Sequence, residues 1–197
     1  MAKIFDRESP FKDTFNTKMV QMIRNQPIEP SNIKALILDS ERMRTTEYLT
    51  LLGVKKENIT SIESDEHVHQ VHLDNGINSI HTKFEDYTKQ LKYQKTQPYH
   101  LLVMDLCGCV PNFSKPLLTL FQKNMIGDDT MLIITFSQRH HVRGKSFKYV
   151  YTKMFEKRRQ ILEKKLRLKC QQFDEYAYGG SASQSAMYSE FLIYSKS

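Results

Sequence analysis

The chain has 197 residues, 40% of them hydrophobic and 26% charged, with a formal net charge of +7. That is enough for one domain with a real core, and no apolar run approaches the roughly 20 residues a membrane helix needs. The first residues lack the apolar core of a secretory signal, and three cysteines without framework spacing fit a reducing compartment, so the sequence reads as a soluble intracellular protein, cytoplasmic or nuclear.

Residues 1–30 read as a helical extension ahead of the main unit, residues 31–197. Phe11, Phe15, Met19, Met22 and Ile23 recur at helical spacing, and Pro27 and Pro30 end the pattern. Such a helix packs on a sheet or closes over a crevice as a lid. Next, an apolar run over 33–38 stops at Asp39, a helix-like stretch over 45–52 closes at Gly53, and a second run over 59–62 ends in Glu63. One helix between two short apolar runs is a β-α-β unit, which implies a parallel sheet. Ligands of such sheets sit outside the carboxyl ends of the strands, where an acid ending the second strand can accept hydrogen bonds from a ribose diol. The stretch reads as half of a nucleoside-binding site.

A short helix over 65–73 carries His67, His69 and His72. Only His69 and His72 are neighbours at i,i+3, and no cysteine or carboxylate at a familiar spacing completes a zinc set, so no metal is expected. Residues 78–84 read as a weaker third strand ending in Glu85 and Asp86, and 89–98 as a polar connection. Residues 100–105 are apolar until Asp105, the pattern of a strand buried on both faces. A tight exit through Cys107, Gly108 and Cys109 leads to a helix over 114–124 with Leu117, Leu118 and Phe121 inward. A fifth strand follows over 131–136.

Between Arg139 and Lys169 stand twelve Lys and Arg against two acids, while the rest of the chain is slightly acidic. A near-neutral body with one basic segment points to a polyanionic partner, with Arg139, Arg143, Lys145, Lys157 and Arg158 as candidate phosphate contacts; the bland alternative is a solvated basic face. A helix over 147–168 is expected to bury Phe147, Tyr151, Met154, Ile161 and Leu166. Two β-rich runs, 171–178 and 187–194, flank Gly179-Gly180 as an antiparallel hairpin.

Alternating strands and helices, acids ending four strands and a terminal hairpin together resemble the class I, Rossmann-like S-adenosylmethionine-dependent methyltransferases. The resemblance covers about residues 33–196 and rests on layout. It implies an α/β fold: a doubly wound, mostly parallel seven-stranded sheet with a C-terminal antiparallel hairpin. It also implies S-adenosylmethionine as cofactor and methyl transfer to nucleic acid, RNA before DNA. Asp39 and Ser40 then stand at the first motif, Glu63 and Ser64 at the ribose, Glu85 and Asp86 near the adenine, and Asp105 beside the reacting centre. The family's first motif is usually glycine-rich, whereas here no glycine occurs between Asp39 and Gly53. A catalytically inactive module that kept the scaffold and binds RNA or a protein partner is the alternative. Asp105-Leu106-Cys107-Gly108 does not match the Asp/Asn-Pro-Pro-aromatic motif of exocyclic amine methylation. Ribose 2′-O methyltransferases resemble the chain at Glu190, paired with Asp105 and with Lys18 as one of two lysines; the second is missing.

Overall fold

The structure is a computed structural model and describes residues 10–94, 98–106, 110–137, 156–178 and 187–196. Seven strands form one sheet: β1 (Ala35–Ile37), β2 (Ile59–Glu63), β3 (Asn78–His81), β4 (Leu101–Asp105), β5 (Met131–Ser137), β6 (Leu168–Tyr178) and β7 (Met187–Lys196). Their spatial order is β3-β2-β1-β4-β5-β7-β6. The first five pair in parallel, and β7 runs antiparallel to both β5 and β6. This is the expected doubly wound sheet with a terminal hairpin.

Strand alternation sorts the apolar residues onto two faces. Leu36, Leu102, Leu132 and Leu192 lie in register across β1, β4, β5 and β7 and belong to one buried cluster. Ile37, Val103, Ile133 and Phe191 form the equivalent row of the other. Helices α4 (Phe84–Gln90) and α5 (Val110–Gln122) cover the first face, with Leu117, Leu118 and Phe121 inward as expected. The second face is covered by α1 (Pro10–Arg24) and α2 (Arg44–Leu52). Helix α3 (Glu66–Asp74) links β2 to β3, and α6 (Lys157–Leu166) leads into β6.

Of the two roles open to the N-terminal helix, packing is what is seen. Phe15, Met19, Met22 and Ile23 of α1 are at most 1% exposed, and the Phe15 and Phe191 rings lie 5.5 Å apart. Burying side chains of this size is worth roughly 1.5–3 kcal/mol each, so α1 is part of the core.

Two expectations are corrected. The third strand ends at His81, and Phe84, Glu85 and Asp86 begin α4. Phe84 and Tyr87 share one face of that helix and pack on the core, as does Leu91 just past its end, and a spacing of three suits a helix. On α6, Ile161 is 50% and Leu166 38% exposed, while Glu163 is buried. Five residues separate Ile161 from Leu166, which puts them about 140° apart around the axis, so they cannot share one stripe. The rest of that expected stripe, Phe147, Tyr151 and Met154, lies outside the described residues.

Candidate functional site

The sheet reverses direction of growth between β1 and β4, and a crevice of about 490 Å³ opens at the carboxyl ends of the strands there. Asp39, Ser40, Glu63, Ser64, Glu85 and Asp105 all line it, together with Leu38, Ile62, Thr82, Lys83, Phe84 and Leu106. Asp86 is not in the lining; its carboxylate is 2.7 Å from the Lys89 ammonium on the surface of α4, a pairing that holds its carboxyl below the usual range.

Asp39 shapes the first wall. Its Oδ2 accepts from the Thr46 N–H (2.8 Å) and hydroxyl (2.9 Å), and Oδ1 accepts from the Ser40 N–H (2.9 Å). It thereby satisfies donors at the start of α2, the work of a capping residue. Burial pushes the Asp39 carboxyl up, with the Thr46 and Ser40 hydrogen bonds and the charge of Lys12 acting the other way. The turn that follows is built without glycine by placing Met43 in the left-handed region (φ 52°) and by fixing the Ser40 carbonyl. That oxygen accepts from the Met43 N–H (2.9 Å) and lies 3.1 Å from His72 Nε2. Facing a carbonyl, Nε2 is the protonated nitrogen.

Glu63 is held more tightly. Oε1 accepts from the Ser64 N–H (2.6 Å) and the Asp65 N–H (2.7 Å), and the Glu63 carbonyl accepts from Thr82 N–H across the sheet (2.8 Å). Two backbone donors on one oxygen fix the carboxylate's direction at the end of β2.

Asp105 ends β4 with its side chain 14% exposed and forms an ion pair with Lys12 of α1. Lys12 is a site residue the sequence reading missed. Lysine 18, assigned instead to an aspartate-lysine-glutamate set with Asp105, pairs with Asp174 of β6 and lies over the Tyr176 ring. Glu190 does not join Asp105 either. It pairs with Ile134 and sits on the face of Leu192 and Tyr194, opposite the face of Val103, Asp105 and α1. The 2′-O set is therefore not assembled. Lys12 was legible in principle: it is in phase with Met19 and Ile23, seven and eleven residues on, on the side of α1 that meets the sheet.

The histidines take local roles. His67 meets Glu41 (3.2 Å), His69 meets Ser79 (2.8 Å), and the His69 and His81 rings stack at 5.1 Å. Among the described residues no group of three His, Cys, Asp or Glu is arranged to hold a metal. Lys157 opens α6 with an exposed side chain and Arg158 follows it; Arg139, Arg143 and Lys145 lie outside the described residues, as do Cys107 and Cys109.

No family model and no curated protein sequence matches the chain. Solved structures do. It superposes on M. jannaschii TYW2, solved with AdoMet, at a TM-score of 0.64 and 11% identity over 100% of this chain and 80% of that one. N-methyltransferase NodS from Bradyrhizobium japonicum WM9 matches at 0.55 and 13%, covering 96% and 99%. P. horikoshii TYW2, solved with MeSAdo, matches at 0.59 and 12%, covering 92% and 62%. The fold is that of the class I methyltransferases. The methyltransferase-fold region shared with Trm5b from Pyrococcus abyssi is 50% of that protein, so the chain spans half to two thirds of several structures it resembles.

The crevice fits the cofactor of that fold on its own chemistry. A fixed carboxylate ends β2, where a ribose diol would lie. Four carboxylates, Asp39, Glu63, Glu85 and Asp105, line a site with Lys83 as the only basic lining residue among those described and Lys12 paired with Asp105, a balance suited to a ligand of net positive charge.

Proposed function

We propose that the chain is an S-adenosylmethionine-dependent methyltransferase acting on RNA. The observation that carries the reading is the convergence of carboxylates from three strand ends and α4 on one crevice at the switch point of the sheet. Glu63 would hold the ribose hydroxyls through Oε2, since Oε1 is engaged by Ser64 and Asp65. Ser40 and its turn would face the methionine portion, and Glu85 at the start of α4 the adenine side. The cofactor supplies an electrophilic methyl group on a sulfonium that leaves as a neutral thioether. Asp105, on the far rim, would orient the acceptor and hold the proton that its nucleophilic atom gives up.

RNA as the substrate class rests on charge. The body is slightly acidic and the basic residues concentrate between Arg139 and Lys169, a segment that follows β5 and so leaves the sheet at its carboxyl edge. Calorimetric titration with S-adenosylmethionine tests the cofactor, and tritiated-methyl incorporation into total RNA tests the reaction. No heat at millimolar cofactor would reduce the chain to an inactive module on this scaffold. Transfer to protein but not to RNA would move the substrate class. The extent of the unit, residues 31–197 with 1–30 as an N-terminal extension whose helix packs into its core, is part of the same proposal.

A further inference from the structure

On α1, between Phe15 and Met19, stands a buried asparagine with nothing to bond among the described residues. Asn16 is 0% exposed, and neither Oδ1 nor Nδ2 has a hydrogen-bond partner among the described residues. Its neighbours on the inward stripe are Phe15, Met19, Met22 and Ile23, all buried apolar groups. An unpaired carboxamide in such surroundings is costly, and native interiors rarely leave one. Two orphaned atoms on one side chain, one a donor and one an acceptor, match a partner that offers one acceptor and one donor side by side.

The position of Asn16 says where that partner would come from. One helical turn earlier on the same face is Lys12, whose ammonium pairs with Asp105 at the rim of the crevice. Lys12 is 31% exposed at its side chain and Asp105 14%, so this end of the α1 interface is open, whereas the Asn16 end is closed. Beyond Asp105 the same row of the sheet continues as Thr135 and Ser189, fully buried, with their hydroxyls spent on each other at 2.9 Å. The unspent polar capacity under α1 thus lies at Asn16, behind the Lys12–Asp105 pair.

We propose that the underside of the first two turns of α1 is the acceptor subsite, and that it takes the hydrogen-bonding edge of a nucleobase. This rests on the methyltransferase reading above and narrows it: the methylated nucleotide is held by its base rather than by its ribose. A carboxamide meets a nucleobase edge with one donor and one acceptor in plane, as asparagine does with adenine, and the apolar groups around Asn16 suit a flat base, while a ribose would bring further hydroxyls among them with nothing to bond. Asp105 and Lys12 add an acceptor and a donor at the mouth. Their pair must part for a base to reach Asn16, so the ion pair is a gate that the acceptor edge itself replaces. Asn16 is a specificity-determining residue in this scheme.

The test is Asn16→Leu, which keeps the branching of the side chain and removes both polar atoms. Three measurements are made on each preparation: melting temperature, calorimetric titration with S-adenosylhomocysteine, and tritiated-methyl transfer into total RNA followed by digestion to nucleosides. The expected result is melting at or above the wild type, since two unpaired buried atoms are gone, with unchanged affinity for S-adenosylhomocysteine. Transfer should fall about tenfold or more through a raised KM for RNA, and the wild-type label should lie on the base. Wild-type transfer in Asn16→Leu, or label on the ribose, overturns the proposal. If the leucine does not fold, Asn16→Ser is read by the same criteria. A wild-type protein that shows no heat with the cofactor fails the methyltransferase reading itself. Cofactor binding with no transfer to RNA fails the RNA substrate and this subsite together.

Discussion

Three carboxylates end strands of this sheet, and their surroundings give them different work. Glu63 is fixed by two backbone N–H groups through one oxygen, so Glu63→Ala should weaken S-adenosylmethionine about ten- to a hundredfold, the worth of a charge-assisted hydrogen bond or two; unchanged calorimetric affinity would take Glu63 out of the site. Asp105 faces Lys12. Asp105→Asn keeps the shape, and should leave cofactor affinity nearly intact while methyl transfer falls by roughly 10²-fold. An active Asp105→Asn enzyme would end its catalytic assignment, and a loss that merely tracks melting temperature would make the residue structural. Asp39 is mainly a cap, and its carboxyl is pushed above the usual value by burial. A group whose folded-state value is raised takes up its proton in the native state first. Stability from that proton is therefore full below the unfolded value near 3.8 and is lost as pH rises through the raised folded value. Compared with Asp39→Asn by denaturant melts, the wild type should gain relative stability as pH falls through that window. A difference between the two that is flat with pH would contradict the burial of the charge.

At the scale of elements, the parts visible in the sequence are those whose pattern comes from burial on both faces. β4 and β5 read as strands because every residue of 101–104 and 131–134 is buried, leaving no polar position to confuse the period. The acids at the ends of β1, β2 and β4 mark the crevice for the same reason: each stands at or just past the end of a fully buried run. Helix α4 was not legible, since only seven residues long and mostly polar, it offers Phe84 and Tyr87 as its inward signal. The ion pair of Lys12 with Asp105 joins residues 93 apart, and no local pattern encodes such a contact; choosing Lys12 over Lys18 depends on how α1 is turned. That orientation is set by the apolar stripe. Phe15→Ala should cost about 3–5 kcal/mol of stability, and by loosening α1 it should also disturb Asp105. A fall in melting temperature of only a degree would mean that α1 is peripheral.

At the scale of the whole molecule, charge and topology divide the labour. The acidic crevice suits a cationic cofactor, and the basic stretch from Arg139 to Lys169 suits a polyanion. RNA binding should therefore weaken steeply with salt, each phosphate contact adding roughly 0.7 to the slope for single strands. Changing Arg139, Arg143 and Lys145 together to alanine should lower that slope; an unaltered slope in filter binding would show that they do not touch phosphate. The directions of the strands were readable, a parallel part and an antiparallel hairpin, but not their order, and nothing local in 171–178 or 187–194 says which of the two borders β5.

That last detail governs how the chain can be made. β7 comes last of the seven strands along the sequence, yet it lies inside the sheet, between β5 and β6. During vectorial synthesis β6 emerges first and has no neighbour to pair with, since β5 accepts β7 and not β6. β5 meanwhile presents an open, apolar edge to water or to a chaperone until residues 187–196 clear the ribosome tunnel. Closure is then a late insertion of one strand into a waiting slot, driven by Phe191, Leu192 and Tyr194, each at most 1% exposed once seated. Nascent chains stopped short of β7 should stay protease-sensitive and chaperone-bound, and become resistant in a single step once it is free.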